Sequence, residues 1–245
     1  MKVKGGVLVA PEWGREKWLR HAFGTRQGEP PFPYVLGKQL HSDIVNVIVD
    51  PGAKVRGDAL ITATPGVAVA VATADCLPVL LADPENRVVA AIHAGWRGTL
   101  KRIVEKTVGL MRARFGTQPR KLWAALGPSI HVCCYQVGPE VIHEFHSQFS
   151  YAPELFAGLD PENPALVMLP RQHLLKQNAI MRELETEHAF LNVEEANVRQ
   201  LLDAGVPPAR ILRGAPCTGC RPDLLHSYRK QGPKSGRQIS AIGIT

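Results

Sequence analysis

The sequence predicts a mixed α/β protein, an α+β arrangement in which mixed β-sheets are flanked by helices, and three observations carry that prediction. Val67 to Thr73, Val79 to Ala82 and Val88 to Ile92 are short apolar runs separated by turn residues, as buried strands are. Apolar residues also recur at helical spacing after residue 98 and after residue 138. The two kinds of segment follow no strict alternation, so the 245 residues read as one mixed domain, 1–245, without internal repeats.

Met1 to Val9 reads as a first strand, because Pro11-Glu12 interrupts it too soon for an export signal. Trp18 to Thr25 alternates apolar with polar and ends at Gly24, and Arg26 to Pro33 is a loop by its Gly and Pro content. Ile44 to Val49 is a further apolar run. After the three central runs, Leu100, Ile103, Val104, Thr107, Val108, Met111 and Phe115 predict one amphipathic helix over 99–115, stopped by Gly116. Leu122 to Leu126 is a strand that ends in Gly127-Pro128-Ser129. Gly138-Pro139 opens a helix whose apolar face is Val141, Ile142, Phe145 and Phe149. Residues 151–165 lack a period and read as a loop, and Pro170 suits the first turn of a helix running to about residue 185. Asn192 with Glu195 is a capping box, and Gly205 stops the helix it opens. Arg210 to Arg213 and Gln238 to Ile244 read as late strands.

Composition narrows the class. Hydrophobic content of 45% and charged content of 21% are those of a globular protein. No apolar run reaches the length of about 18 residues that a membrane span needs, so no membrane partner is expected. Five cysteines, an odd number, point to a reducing, cytoplasmic setting. A net charge of +7 fits an anionic partner, either nucleic acid or a phosphate-bearing small molecule.

The chemistry centres on Thr73-Ala74-Asp75-Cys76-Leu77-Pro78 and Ala91-Ile92-His93-Ala94-Gly95-Trp96-Arg97-Gly98. Pairing of neighbouring strands brings the Cys76 thiol beside the His93 imidazole at one sheet edge. His41, ahead of another apolar run, is a third candidate. Two imidazoles and a thiolate are a plausible ligand set for an open, catalytic Zn²⁺, although the spacing alone forms no metal signature. Asp75 is either a residue that orients His41 or His93 through a bend, or a strand-end carboxylate bonded to backbone amides. Arg97 ahead of the predicted helix start, with Gly95 and Gly98 beside it, suits either a phosphate pocket or a simple turn and surface ion pair.

The motifs T-A-D-C-L-P, H-A-G-W-R-G, G-P-S-I-x-x-C-C-Y-x-V-G-P-E-V and S-Y-R-K-x-G-x-x-S-G-R-Q together resemble one family. This is the YfiH family of purine nucleoside phosphorylases, formerly described as laccase domain-containing or polyphenol oxidase proteins. The resemblance runs from about Gln39 to the C-terminus and includes Gly57 to Thr62, which is similar to the family's A-D-A-L-I-T strand. It implies a YfiH-like fold and makes His41, Cys76 and His93 the zinc ligands. It further implies phosphorolysis of adenosine, inosine, guanosine and methylthioadenosine to base and ribose-1-phosphate, with adenosine deamination as a linked activity. Gly24-Thr25-Arg26-Gln27-Gly28 keeps only part of F-T-T-R-x-G-G, and the insertion that comes next in the family is shortened here, around 26–40. Arg26 from that remnant, and Tyr228, Arg229 and Arg237 from the closing motif, join Arg97 as candidate substrate or phosphate contacts.

Cys217-Thr218-Gly219-Cys220 is a C-x-x-C pair without a second well-spaced pair, and the adjacent Cys133 and Cys134 point to opposite faces if extended. Structural thiols are therefore expected there. Copper finds no support, because the sequence lacks dense His-x-His and Cys-His clusters. Two other readings stand beside the phosphorylase. Cys76 as nucleophile with His93 as base gives a cysteine hydrolase or amidase, for example on cell-wall precursors. A basic nucleic-acid-binding module is the third, disfavoured by an aromatic content of only 6%.

Overall fold

A computed structural model describes residues 1–158 and 189–245. In chain order, its strands begin with β1 (Lys2–Lys4), β2 (Val7–Val9), β3 (Leu19–Phe23), β4 (Val35–Leu36), β5 (Val45–Val47) and β6 (Ala59–Thr62). The central runs become β7 (Ala68–Thr73), β8 (Leu77–Asp83) and β9 (Val88–Ala94), followed by helices α1 (Trp96–Leu100) and α2 (Ile103–Phe115). Then come β10 (Trp123–Leu126), β11 (Gln136–Val137), α3 (Pro139–Gln148), β12 (Phe156–Ala157) and β13 (Ala189–Leu191). The chain ends with α4 (Val193–Asp203), β14 (Ile211–Leu212), α5 (Tyr228–Gln231) and β15 (Gln238–Ile244).

The architecture is the mixed α+β one expected. One six-stranded sheet has the order β1-β2-β3-β15-β7-β4, a second has β14-β10-β8-β9-β6-β5, and β11-β13-β12 form a small third sheet. The second sheet is central because its strands are apolar on both faces. Leu60, Leu80, Ala82, Val89 and Ala91 point at the first sheet and pack with Phe23, Val69, Val71 and Ile242. The alternate residues Ile61, Val79, Leu81, Ala90 and Ile92 point the other way, at Ile103, Val104, Val108 and Met111 of α2 and Phe145 of α3. Period-two alternation between two apolar faces is the reason these strands read as unbroken apolar runs. Each of the Leu, Ile, Val, Met and Phe side chains among them contributes on the order of 1.5–3 kcal/mol when fully buried.

Four readings of the sequence need correction or restriction. Met1 to Val9 is a hairpin, because Gly5 and Gly6 take positive φ (57° and 80°) and turn β1 back on β2. The helix expected over 99–115 is two helices. Arg102 adopts left-handed geometry (φ 59°) and breaks the chain between α1 and α2, held there by Glu105 and by the Phe149 ring. Part of the loop expected at 151–165 is ordered, with a 3-10 turn at Ala152–Leu155 leading into β12. The helix expected from Pro170 lies outside the described residues. Gly116 (φ 70°) does end α2, and the Asn192 side chain accepts the Glu195 amide at 3.0 Å to open α4.

Helix α1, directly after β9, is anchored from behind. Its buried Thr99 is clamped by α4, with Asn197 donating to the Thr99 hydroxyl (2.9 Å) and Gln200 to its carbonyl (2.8 Å). No helix among the described residues is long and apolar enough to cross a membrane.

On β3, His21 accepts the Ala10 amide at Nε2 (2.9 Å) and packs edge-on against Trp13, a role that needs a neutral ring. Burial pushes its pKa from 6.5 down to about 4. The unfolded chain therefore takes up the proton first, so this stabilisation is complete above pH 6.5 and lost as pH falls toward 4. Unfolding free energy should drop by about 2–3 kcal/mol across that window, and His21→Gln should flatten the slope. Urea titrations at stepped pH measure both, and parallel slopes for the two proteins would remove His21 from the account.

Candidate active site

β8 and β9 pair antiparallel with Pro78 opposite His93 and Leu77 opposite Ala94. Cys76, one residue before β8, therefore meets His93 near the end of β9. His41 arrives from the loop between β4 and β5. Its Nε2 is 4.0 Å from Cys76 Sγ, and its ring stands edge-on to His93 with centroids 4.9 Å apart. One ligand atom from each of the three residues lies within 4.8 Å of the other two. Exposure is graded across the cluster: His41 is exposed, Cys76 half-buried and His93 buried. Gly95 is required at its position, since a Cβ there would sit 2.9 Å from Cys76 Sγ and 3.4 Å from His41 Cδ2.

The residue that organises the cluster is Asp58, buried to 1% exposure just ahead of β6. Its carboxylate accepts from the amides of Leu40 (3.1 Å), His41 (3.0 Å) and Ser42 (2.7 Å), from the Ser42 hydroxyl (2.5 Å) and from His93 Nδ1 (2.8 Å). Its own carbonyl accepts the His93 amide at 2.7 Å. Burial opposes its charge, but the His93 and Ser42 bonds outweigh that and hold it well below the usual carboxylate range. An ionised Asp58 fixes the proton of His93 on Nδ1 and leaves Nε2 to face the cluster. In the metal-free protein burial opposes charge on His93 as well, yet Asp58 and Cys76 raise its pKa to about 9. Burial likewise disfavours the Cys76 thiolate, and bonds from His41 and His93 still bring it down to about 6. The shift favours the thiolate over the thiol, and the thiolate is the form that binds metals and attacks electrophiles.

Asp75 does not orient either histidine, and the sequence reading that gave it this option is corrected. It does sit at a bend (φ 87°), but the bend turns its carboxylate toward the C-terminal segment. There it accepts from the Thr218 hydroxyl and the Arg229 amide, both at 2.6 Å. Asp58 was missed because it lies 17 and 35 residues from the histidines it holds. Its only signal was an acidic residue opening an otherwise apolar strand.

Above the cluster lies a cleft of about 620 Å³, a size typical of small-molecule sites. Its lining includes His41, Asp75, Cys76 and His93 on the floor, with Arg97, Tyr228, Arg229 and Arg237 around them. Tyr135, Trp96 and Gln39 also line it and were not singled out in the sequence. Arg97 is in the first turn of α1, not ahead of the helix as expected, and its guanidinium stacks on Trp96 at 4.2 Å. Arg229 lies over Tyr135 at 5.5 Å, and Arg237 over Tyr228 at 6.0 Å. Arg26 is not among the lining residues. Its amide bonds the Leu224 carbonyl and its side chain meets His226 at 3.4 Å.

Fold and site together define a class: mixed-sheet α+β proteins with a Cys-His-His cluster at the floor of an arginine-lined cleft. The chain belongs to the YfiH family, described as multi-copper polyphenol oxidoreductase laccase, which matches residues 17–245. It is 37% identical to a purine nucleoside phosphorylase of Bacteroides thetaiotaomicron over 187 residues, 76% of this chain and 60% of that protein. It is 34% identical to adenosine deaminase RL5, from an unknown prokaryotic organism, over 85% of this chain and 74% of that one. Among solved structures, YlmD of Geobacillus stearothermophilus superimposes with a TM-score of 0.76 at 27% identity, covering 100% of this chain and 97% of that one. The YfiH protein of Bacillus licheniformis gives 0.81 at 24% identity, covering 99% and 97%.

The contrast between the two aspartates is open to measurement. Asp58→Asn should weaken the hold of the cluster on an added divalent metal by about 10–100-fold, the usual cost of losing a carboxylate hydrogen-bonded behind a histidine that ligates a metal. Asp75→Asn should change it only a few-fold. Competition with a chromophoric chelator ranks the variants, and equal losses would show that Asp58 has no special hold on the cluster.

Proposed function

We propose that the chain is a zinc-dependent purine nucleoside phosphorylase, acting on adenosine, inosine, guanosine and methylthioadenosine, with adenosine deamination as a second activity of the same cleft. One observation carries the reading: a thiolate–imidazole cluster and three arginines, Arg97, Arg229 and Arg237, line a single cleft of nucleoside size. The names of the relatives, purine nucleoside phosphorylase and adenosine deaminase, agree with it.

The donor set fits zinc. One thiolate and two imidazoles within 4.8 Å of one another match three protein ligands with a fourth position left open. When bound, zinc supplies Lewis acidity toward a substrate oxygen or nitrogen and lowers the pKa of water. The remaining work falls to the chain. Phosphorolysis joins a phosphate oxygen to the ribosyl C1′ as the bond from C1′ to the purine nitrogen breaks, leaving the electron pair on the base. Arg97 binds the phosphate through its planar fork, already oriented by stacking on Trp96. Arg229, fixed through its amide on Asp75, and Arg237 add positive charge that holds the anion at the sugar. Tyr228, 50% exposed at the cleft, offers a ring face to the purine. His93, with its Nδ1 proton committed to Asp58, keeps one orientation throughout.

Arg97→Ala is expected to raise the phosphate concentration needed for nucleoside cleavage about tenfold to hundredfold, the value of one charge-assisted pair of about 1.5–3 kcal/mol. Zinc content should not change, and Arg97→Lys should recover only part. Ribose-1-phosphate release measured against phosphate decides it. Cleavage by the parent enzyme that ignores phosphate would mean hydrolysis and end the phosphorylase assignment.

The thiol of Cys76, brought down to about 6 beside two imidazoles, also supports the cysteine hydrolase reading. The two readings diverge on alkylation. As a zinc ligand Cys76 should resist iodoacetamide until the metal is chelated. Rapid single-site modification of Cys76 in fully active, metal-free protein would favour the hydrolase.

A further inference from the structure

Four of the five cysteines lie outside the cleft, and the structure gathers all four. Cys133 and Cys134 come from the turn after β10, and Cys217 and Cys220 from the turn after β14. The sulfurs of all four lie within 4.8 Å of one another. Cys133 is 3.7 Å from Cys217 and 3.4 Å from Cys220, and Cys134 is 3.5 Å from Cys220. Cys133 and Cys134 would face opposite ways only in an extended chain, and here they lie in a turn. The amides of Cys134 and Tyr135 both bond the His131 carbonyl at 2.9 Å, and this tight turn sends both sulfurs to one side.

The spacing discriminates between pairing and ligation. A disulfide needs sulfurs about 2.05 Å apart. Four thiolates around one zinc at about 2.3 Å stand about 3.8 Å from each other along the edges of a tetrahedron. The observed separations belong to the second pattern. The backbone is shaped for it as well. The His131 amide donates to Cys217 Sγ at 3.3 Å, as amides do to a sulfur that carries charge. A Cβ on Gly219 would lie 2.8 Å from Cys134 Cβ and 2.9 Å from its sulfur, so only glycine lets the two turns close to this distance.

We propose that Cys133, Cys134, Cys217 and Cys220 form a second, four-thiolate site for Zn²⁺, structural in role and separate from the cluster in the cleft. Binding expels the thiol protons and replaces sulfur–sulfur crowding with four metal–sulfur bonds, so its free energy adds to folding. The site ties two distant turns together at a useful place. Thr218, between the ligands, donates to Ser129 through its amide (2.9 Å) and to Asp75 through its hydroxyl (2.6 Å). Asp75 in turn holds the amide of Arg229. The four-thiolate site thereby braces the wall of the cleft without lining it.

The test uses the full chain, grown with zinc and purified anaerobically, with metal counted by plasma mass spectrometry. Two zinc ions per chain are expected. Cys133→Ser and Cys220→Ser should each fall to one, and His41→Ala with His93→Ala should also fall to one, by loss of the other ion. X-ray absorption on that double-histidine variant should then show four sulfurs at about 2.3 Å. This arm does not depend on whether the serine variants fold. One zinc per chain in the parent, unaffected by the cysteine substitutions, would overturn the proposal. So would a disulfide among the four in the anaerobic protein, or a nitrogen-dominated shell in the double-histidine variant. None of these readouts involves nucleoside cleavage, so failure here leaves the reading of the cleft standing, and the reverse also holds.

Discussion

The buried carboxylate of Asp58 is the interaction on which the site depends. A charge at 1% exposure persists only if hydrogen bonds replace its water, and five donors do so. Three of them are consecutive amides of residues 40–42, so satisfying the charge dictates the path of that loop. It is one reason that His41, a non-glycine residue, is held at φ 55°. Such geometry costs on the order of 1–3 kcal/mol and persists only where surrounding bonds over-determine it. Charge-assisted bonds of about 1.5–3 kcal/mol each are enough. The same carboxylate fixes the His93 ring. Two of the three cluster residues thus depend on one side chain, and the third depends on the register between β8 and β9.

Sheet register explains the other wall. β15 inserts between β3 and β7, with Gln238 opposite Thr73. Arg237 is consequently delivered to the end of β7, where the chain enters Ala74-Asp75-Cys76. The short helix α5 just before it contributes Tyr228 and Arg229 to the same rim. A segment that reads in isolation as a solvated basic run is instead placed by strand pairing at the mouth of the cleft. The formal charge of +7 is in this sense partly local, since three arginines face one acidic neighbour whose carboxylate already accepts two bonds.

What the sequence made legible was the layering and what it hid was the closure. The two-faced apolar runs identify a central sheet, and Gly116 and Asn192 mark helix ends through local chemistry that any window of four residues contains. The Gly5-Gly6 turn is equally local, since two adjacent glycines between two short strands are a hairpin signal. The break at Arg102 was not readable, because left-handed geometry at an arginine is imposed by Glu105 and Phe149, and Phe149 is 47 positions away. Strand order was hidden for the same reason, as β15 pairs with segments more than 160 residues distant. At the site, the residue types of the cluster were visible in their motifs. The carboxylate behind them was not visible: adjacency in sequence offers Asp75 as an orienting residue or a strand-end carboxylate, and only the sheet makes Asp58 the neighbour of His93.

The two aspartates then divide the molecule's work in a way that burial explains. Asp58 faces the central sheet, where no water competes, and every one of its bonds goes to a group that sets the cluster. Asp75 sits half-exposed at the strand end, and its bonds go outward to Thr218 and Arg229, the segment that supplies the cationic rim. One carboxylate therefore fixes the floor and the other fixes the wall, and Cys76, next to Asp75 in sequence and beside His93 in space, is the point at which the two frames meet. A shift at either aspartate changes the distance between the thiolate–imidazole cluster and the arginines. The cleft works as one site only because a buried bond network and a strand-end bend agree on that distance.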